Sequence, residues 1–429
     1  MEKTPLELNG DFEYVLEVLE KTNKSMFVTG RAGTGKSTLL QLFRNTTRKN
    51  TVVLAPTGIA ALNIQGQTIH SFFGFPPKPI SKTDIKKRRA RKLYEKIEVL
   101  IIDEISMVRA DMLDNIDYFL RLNRENPNPF GGVQMVFFGD LFQLPPIVST
   151  EAEKMLFKTY YDSPFFFSAK VIEAGCFDLE MVELRKVYRQ EARFFIRLLD
   201  AIRTNQWDYD DLEDINQQYK PYFKPSENYI TLSTRNSIVD AINAKALQKL
   251  LTPEFSFIAT VTGSFNPRLF PTDAVLKLKE GAQVMFIKND PQRKFVNGTI
   301  GKVISIRNDY IKVLIEEGEK SRSVEVEKME WEVLKYISNT EKNKIETEVV
   351  GTFQQYPLRL AWAITIHKSQ GKTFDKIIID LGRGAFEHGQ SYVALSRCRS
   401  LEGIVLKQKL KAQDIMVNEK IIEFYESNL

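Results

Sequence analysis

The stretch Ser25-Met-Phe-Val-Thr-Gly30-Arg-Ala-Gly33-Thr34-Gly35-Lys36-Ser37-Thr38-Leu-Leu-Gln-Leu-Phe43 decides how the rest of the chain is read. An apolar strand-like run, Met26 to Val28, meets a glycine-rich loop, and apolar residues then recur with helical spacing at Leu39, Leu40 and Phe43. Strand, G-x-x-x-x-G-K-S loop and helix in that order form a phosphate-binding loop. Glycines let successive N–H groups turn toward an anion, the helix N-terminus adds partial positive charge, and Lys36 can reach the terminal phosphates. Ser37 is placed to hold Mg²⁺. The expectation is a nucleoside triphosphate held by Gly30, Gly33, Thr34, Gly35, Lys36, Ser37 and Thr38.

Working outward, the strand–turn–helix rhythm continues. Thr51-Val-Val-Leu-Ala55 is an apolar, β-branched run ending in Pro56-Thr57-Gly58, and Ile59 to Leu62 restarts helical periodicity. Val99-Leu-Ile-Ile102 is a continuous apolar strand, as in a parallel sheet covered on both faces, and it delivers Asp103 and Glu104 at its carboxyl end. Asp103 is the candidate Mg²⁺ partner; Glu104 is placed to orient and deprotonate an attacking water. A further strand, Val133 to Phe138, runs into Gly139-Asp140 and then Gln143, an uncharged amide able to sense a γ-phosphate.

Composition sets the bounds. At 429 residues the chain exceeds one ordinary core, and its 43% apolar content is that of a folded protein. With 60 Lys and Arg against 55 Asp and Glu, a net charge of +5 permits a polyanionic partner without demanding one. Two cysteines, Cys176 and Cys398, build no disulfide framework, and no Cys/His spacing fits zinc. The three histidines, 70, 367 and 388, have no mutual spacing for a metal or a catalytic triad. An N-terminus with early acids and no apolar core segment, and no long apolar run, predict a protein that is neither secreted nor membrane-spanning, hence cytoplasmic and nucleoid-associated if bacterial.

Two local features invite a nucleic-acid reading. Residues 63 to 80, with Phe72, Phe73, Phe75 and Pro76-Pro77, read either as a small protrusion offering stacking faces or as core of the first domain. Lys86 to Lys92 places six cations in seven positions, suited to phosphates or to a solvated face.

After Phe177 come Val187-Tyr188-Arg189-Gln190, an apolar helix over Phe194 to Ile202, and a strand Tyr229 to Leu232 leading to a helix at Val239 to Ala246. The texture then changes: short alternating strands at Val275–Lys279, Gln283–Ile287, Gly298–Ile306, Ile311–Ile315 and Arg322–Glu327, separated by Gly and Asn-Asp turns, read as a small antiparallel barrel. Asn297-Gly298 is a good hairpin turn. From Leu358 the α/β texture resumes through His367-Lys368-Ser369-Gln370-Gly371, the strand Lys376 to Leu381, and Ala394-Leu-Ser-Arg397.

The loop Gly30–Ser37, Ala55-Pro-Thr-Gly-Ile-Ala60 with Thr68-Ile-His70-Ser-Phe-Phe73, Ile102-Asp-Glu-Ile-Ser-Met107 and the run Pro129 to Pro146 together resemble the Pif-type DNA helicases of superfamily one. The resemblance implies two RecA-like motors, the first over 1–176, the second over 177–248 and 351–429, with an SH3-like β-barrel inserted at 249–350. It implies ATP with Mg²⁺ as cofactor, single-stranded and duplex or forked DNA as partners, a monomer, and 5′-to-3′ travel. Quadruplexes and RNA–DNA hybrids stay open as substrates. It assigns Thr57, Gly58, His70, Phe72, Asn297, Gly298, Thr365, His367 and Lys368 to DNA. Gln370 with Gly371 couples that grip to nucleotide, and Arg189 and Arg397 touch the γ-phosphate across the cleft. In one departure, Phe12 stands where family members often carry a Gln that reads adenine, and Phe12 could stack on a base instead. Two rival readings remain: a P-loop phosphotransferase, which accounts for the first domain alone, and a non-catalytic DNA-binding subunit, which predicts missing hydrolysis residues.

Overall fold

The computed structural model describes residues 9–76, 78–225, 228–307, 309–317 and 320–428. The chain divides into two compact units: Met1–Tyr188 with Leu334–Val349 and Asn418–Leu429, and Arg189–Val333 with Val350–Val417. Sequence texture draws these lines at 176 and 350; the compact units draw the first at 188 and group 334–349 with the first unit.

The first unit is built on six parallel strands, β1 (Ser25–Gly30), β2 (Thr51–Ala55), β3 (Gln67–Thr68), β4 (Val99–Ile102), β5 (Gln134–Phe138) and β6 (Leu179–Leu184). Their order is β3-β2-β4-β5-β1-β6. β1, β4 and β5 are buried along their whole length, which explains their unbroken apolar sequence. On one face Val28, Val53, Ile101 and Phe138 join Leu39, Leu40 and Phe43 of the helix Lys36–Thr46 and Val15 and Leu19 of the helix Gly10–Lys21. On the other, Phe27 meets Phe166 edge-on at 5.1 Å, and Phe424, from the helix Glu419–Asn428, stacks on Phe167 at 4.4 Å. Tyr425 of that helix joins its hydroxyl to Thr29 and its ring to Phe142.

The second unit carries a four-stranded parallel sheet, and its strands β7 (Ile230–Ser233), β18 (Ala363–Thr365), β19 (Ile377–Asp380) and β20 (Ile404–Leu406) lie in the order β18-β7-β19-β20. Between β7 and β18 the chain forms additional sheets. β8 (Glu254–Ile258) pairs with β10 (Val275–Lys279), and β9 (Thr260–Gly263) joins the long strands β15 (Met329–Asn339) and β16 (Lys344–Gln355). β11 (Gln283–Phe286), β12 (Ile300–Ile306), β13 (Ile311–Glu317), β14 (Lys320–Val326) and β17 (Leu358–Leu360) make a five-stranded sheet in the order β14-β13-β12-β11-β17. The stretch from Leu358, expected to resume the α/β motor, first completes this sheet: Leu360 pairs antiparallel with Val284. The chain returns to the parallel sheet only at Ala363. Two Rossmann-type parallel layers of the RecA-like kind are thus present with antiparallel sheets added. Among the described residues no helix is long and apolar enough to cross a membrane.

The cationic run at 86–92 is tied down locally. Lys87 and Arg91 pair with Glu125, and Arg88 donates to the carbonyls of Phe73 and Gly74.

Segment 334–349 completes the edge of the first sheet. β3 is so short that it faces only Leu54 and Ala55. Val53 N–H therefore lacks a strand partner on that side, and the Tyr336 hydroxyl accepts it at 3.0 Å. The Tyr336 ring lies edge-on to Phe72 at 5.8 Å. Because a buried amide left without a partner costs about 1–3 kcal/mol, Tyr336→Phe should keep the ring packing and lower the stability of the first unit by that amount in a denaturant titration.

Candidate active site and nucleic-acid segments

In the first unit the expected chemical groups lie beyond the carboxyl ends of parallel strands, the edge where open α/β sheets place ligands. β1 leads into the loop, whose Gly30, Gly33 and Gly35 have φ of +142°, +88° and +87°. At Gly30 a Cβ would lie 2.7 Å from the Leu184 carbonyl oxygen, so only glycine fits. The helix Lys36–Thr46 starts at once, with Gly35 as a left-handed N-cap and no side chain capping its N–H groups. Those donors suit an anion. Lys36 Nζ donates to Gly30 O at 2.6 Å and Arg31 O at 3.0 Å, which folds it across the loop. Thr34 is buried and ties its hydroxyl to Arg31 O at 3.0 Å, whereas Ser37 and Thr38 stand exposed on the first helical turn.

β4 delivers Asp103, 9% exposed. Burial, and after it the Glu104 carboxylate, push its pKa up to about 7, against the pull of the Lys36 ammonium. Glu104 sits in the left-handed region at φ +51°, a conformation that costs a residue with a Cβ. A buried carboxylate, with a serine hydroxyl in the same sheet-edge cluster, is an oxygen donor set that fits Mg²⁺. Among the described residues no group of three or more His, Cys, Asp or Glu could cage a metal.

Beyond β5, Gln143 is 8% exposed and its Nε2 donates to Asp140 Oδ2 at 3.2 Å. Asp140, 1% exposed, also accepts the Phe142 N–H at 3.3 Å. It holds the Gln143 amide in place and was missed as a candidate; its only signal was a carboxylate closing a buried strand.

Two aromatic expectations are corrected. Phe12 is 3% exposed within the core, its ring 3.0 Å from where a Gly35 Cβ would stand, so it cannot stack on a base. The half-exposed ring beside the loop belongs to Tyr188: its N–H bonds Gly33 O at 2.9 Å and its hydroxyl accepts from Asn9 Nδ2 at 3.3 Å. Phe72, expected on DNA, is 5% exposed and packs edge-on with Phe73 and Tyr94. Phe73 and Phe75 are buried with it, so 63–80 presents no stacking face among its described residues; Pro77 lies outside them. Thr57 is exposed and caps the helix Gly58–Asn63 through Ala60 N–H at 3.3 Å. His70 is half-buried, and burial, followed by the Arg109 guanidinium, holds its pKa below the usual range. It is a neutral hydrogen-bonding group at pH 7.

In the second unit β18 ends at Thr365, which is 4% exposed and whose hydroxyl accepts the Lys368 N–H at 3.3 Å. The backbone contact expected of Thr365 does not fit that placement. His367, 3.3 Å from Glu387, and the exposed Lys368 stand outward instead. Gln370 Nε2 is buried without a hydrogen-bond partner, and Gly371 is exposed at φ +72°. Gly298 is buried against Lys372, while Asn297 remains half-exposed. The two arginines are brought together. Arg189 donates to Ser396 O at 3.0 Å, and Arg397, 1% exposed, donates to Val393 O at 2.9 Å and Ser396 Oγ at 2.8 Å. Burial, then Arg397, depress the Arg189 pKa to about 9.

A family model described as PIF1-like helicase matches residues 9–211, and one described as DNA helicase Pif1, 2B domain, matches residues 264–306. The chain is 32% identical to an ATP-dependent DNA helicase PIF1 of Emericella nidulans over 97% of its own length but only 62% of the relative's. It is 32% identical to the ATP-dependent DNA helicase Pif1 of Bdellovibrio bacteriovorus, over 98% of this chain and 92% of that one. Among solved structures, Bacteroides sp Pif1 in complex with ADP-AlF4 matches at 39% identity and a TM-score of 0.91, covering 98% of this chain and 97% of that chain. The same relative bound to ssDNA matches at 40% identity and 0.69 over the same shares.

The raised Asp103 pKa fixes a pH dependence. Between 3.8 and about 7 the folded chain holds a proton that the unfolded chain releases, so stability from the neutral carboxyl is full at low pH and lost as pH rises through 7. Without divalent cation, Asp103→Asn should melt above the parent at about pH 8, by roughly 2–4 °C for each kcal/mol recovered. The gap should close toward pH 4, and Mg²⁺ should protect the parent only.

Proposed function

This chain belongs to the PIF1-like helicase family, and on that footing we propose that it hydrolyses Mg-ATP to travel 5′ to 3′ along single-stranded DNA, unwinding the duplex or fork ahead of it. The observation that carries the reading is a double one. The loop Gly30–Thr38 shares a sheet edge with Asp103, Glu104 and Gln143, and a second unit gathers Arg189 and Arg397 beside a segment presenting His367 and Lys368. A small-molecule phosphotransferase needs only the first set, and a non-catalytic subunit needs neither Glu104 nor the arginines.

Lys36 and the loop N–H groups hold the phosphates, Ser37 and Asp103 hold Mg²⁺, and the half-exposed Tyr188 ring supports the base. Bound Mg²⁺ supplies neutralisation of phosphate charge. Glu104 orients water and takes its proton, while Gln143, steadied by Asp140, senses the γ-phosphate. Arg189 and Arg397 are assigned to the charge spreading on the departing phosphoryl group, a task for which a permanently charged planar guanidinium is suited. Such arginines are worth about 10³–10⁵ in rate in related phosphoryl-transfer systems. Thr57, His70, His367, Lys368 and Asn297 grip the strand, and Gln370 relays between grip and nucleotide. Opening one base-pair step works against stacking of about 1.4 kcal/mol, which one hydrolysis exceeds.

The antiparallel strands support an SH3-like barrel inserted at 249–350 of the second motor, because Leu276, Leu278, Val284, Val303, Val313 and Val324 share one core. The site of action is the DNA-bearing compartment, the nucleoid in a bacterium, and the roles are those of genome maintenance.

Partial duplexes with either a 5′ or a 3′ tail test the assignment. Release from the 5′-tailed substrate, with single-strand-stimulated ATP hydrolysis abolished by Lys36→Ala, is the expected result. Release from the 3′ tail alone overturns the polarity, and hydrolysis that ignores DNA but answers to a small-molecule acceptor overturns the helicase reading.

A further inference from the structure

Lys372 follows the motif His367–Gly371 and has no place in the assignments above. Its ammonium donates to Asn297 Oδ1 at 2.7 Å, joining the segment after β18 to the turn between β11 and β12. Its stem supports the same turn: a Cβ on Gly298 would meet Lys372 Cβ at 3.5 Å, ordinary van der Waals contact. Both partners are firmly held. Asn297 N–H donates to Asn289 Oδ1 at 2.8 Å and Gly298 N–H to Phe286 O at 2.8 Å. Lys372 N–H donates to Ser369 O at 3.0 Å, and Ser369 Oγ to Ile366 O at 2.6 Å.

The electrostatic setting is unfavourable for a lysine. The charged groups it faces are the Arg359 and Arg397 guanidiniums, and among the described residues it makes no ion pair. Burial first, and those cations next, bring its pKa down to about 8. An apolar side chain would support Gly298 without this cost. What an ammonium adds is direction. Having only donors, it claims the oxygen of the Asn297 amide, and the remaining half of that amide is an NH₂ group, which is itself only a donor. A donor pair on a half-exposed turn matches a phosphodiester oxygen.

We infer that Lys372 is a positioning residue for single-strand binding: reaching from the segment that presents His367 and Lys368, it fixes the Asn297 amide so that its NH₂ is presented to a backbone phosphate. This rests on the reading that these segments grip DNA. Lys372 orients the contact and Asn297 makes it.

The test is anisotropy titration of a labelled oligothymidylate with the full chain, repeated over a series of salt concentrations, with the melting temperature of every variant recorded. Lys372→Met should weaken binding about 3- to 10-fold with the salt slope unchanged. A residue that itself neutralised a phosphate would lower that slope by about 0.7, and such a drop overturns the positioning role, as does unaltered affinity. Asn297→Asp keeps and charges the link to Lys372 but replaces the outward donor by an acceptor. It should bind at least as weakly as Lys372→Met while melting no lower than the parent; parent-like binding by this variant overturns the inference. Lys368→Ala separates the two levels. If it weakens binding and Lys372→Met does not, only the inference fails; if neither does, the grip reading fails with it.

Discussion

The pressure of Gly30 against the carbonyl of Leu184 governs the first unit. β1 pairs with β6 to its last residue, Gly30 opposite Leu184, and the chain must then lift off the sheet where a side chain has no room. Glycine's freedom at positive φ turns that crowding into a curl of N–H groups over a helix start. Past β6 the chain runs on to Tyr188, whose N–H returns to Gly33, so the loop is held from below by a strand and from outside by the residue that closes the unit. The next residue, Arg189, opens the second unit. The anchor of the phosphate loop and an arginine assigned to hydrolysis are consecutive in the chain.

A second regularity is like charge set beside charge that is largely withdrawn from water. After burial itself, Asp103 is opposed most by the Glu104 carboxylate, Arg189 by the Arg397 guanidinium, and Lys372 by Arg359 and Arg397. Each is a cost to folding, since an isolated charge moved out of water is penalised more than a neutral group. Arg109, by contrast, is held by Asp111 and Glu153.

Much of this was legible beforehand. Continuous apolar runs such as Val99–Ile102 read correctly as buried parallel strands because covering both faces removes any polar alternation. The loop and the carboxylates followed from spacing and strand ends. The phenylalanines misled: at 12 and 72 an aromatic looks the same in sequence whether it faces solvent or sits in a core, and only packing decides. Asp140 offered only a carboxylate at a strand end, and Lys372 was invisible because its partner is a side chain 75 positions away. Tyr336 was hidden likewise, since nothing local tells a strand in an inserted segment that its phenol will complete an edge amide on β2.

The helix Glu419–Asn428 packs Phe424 and Tyr425 onto strands of the first unit that were made some four hundred residues earlier. During synthesis the aromatic face of Phe27, Phe166 and Phe167 emerges from the ribosome long before the segment that will cover it. The nascent first unit must therefore wait, apolar side outward, while the whole second unit is translated. A long-range closure of this kind is slow and leaves the partly made chain open to association with other chains, which makes the protein a candidate client of holding chaperones.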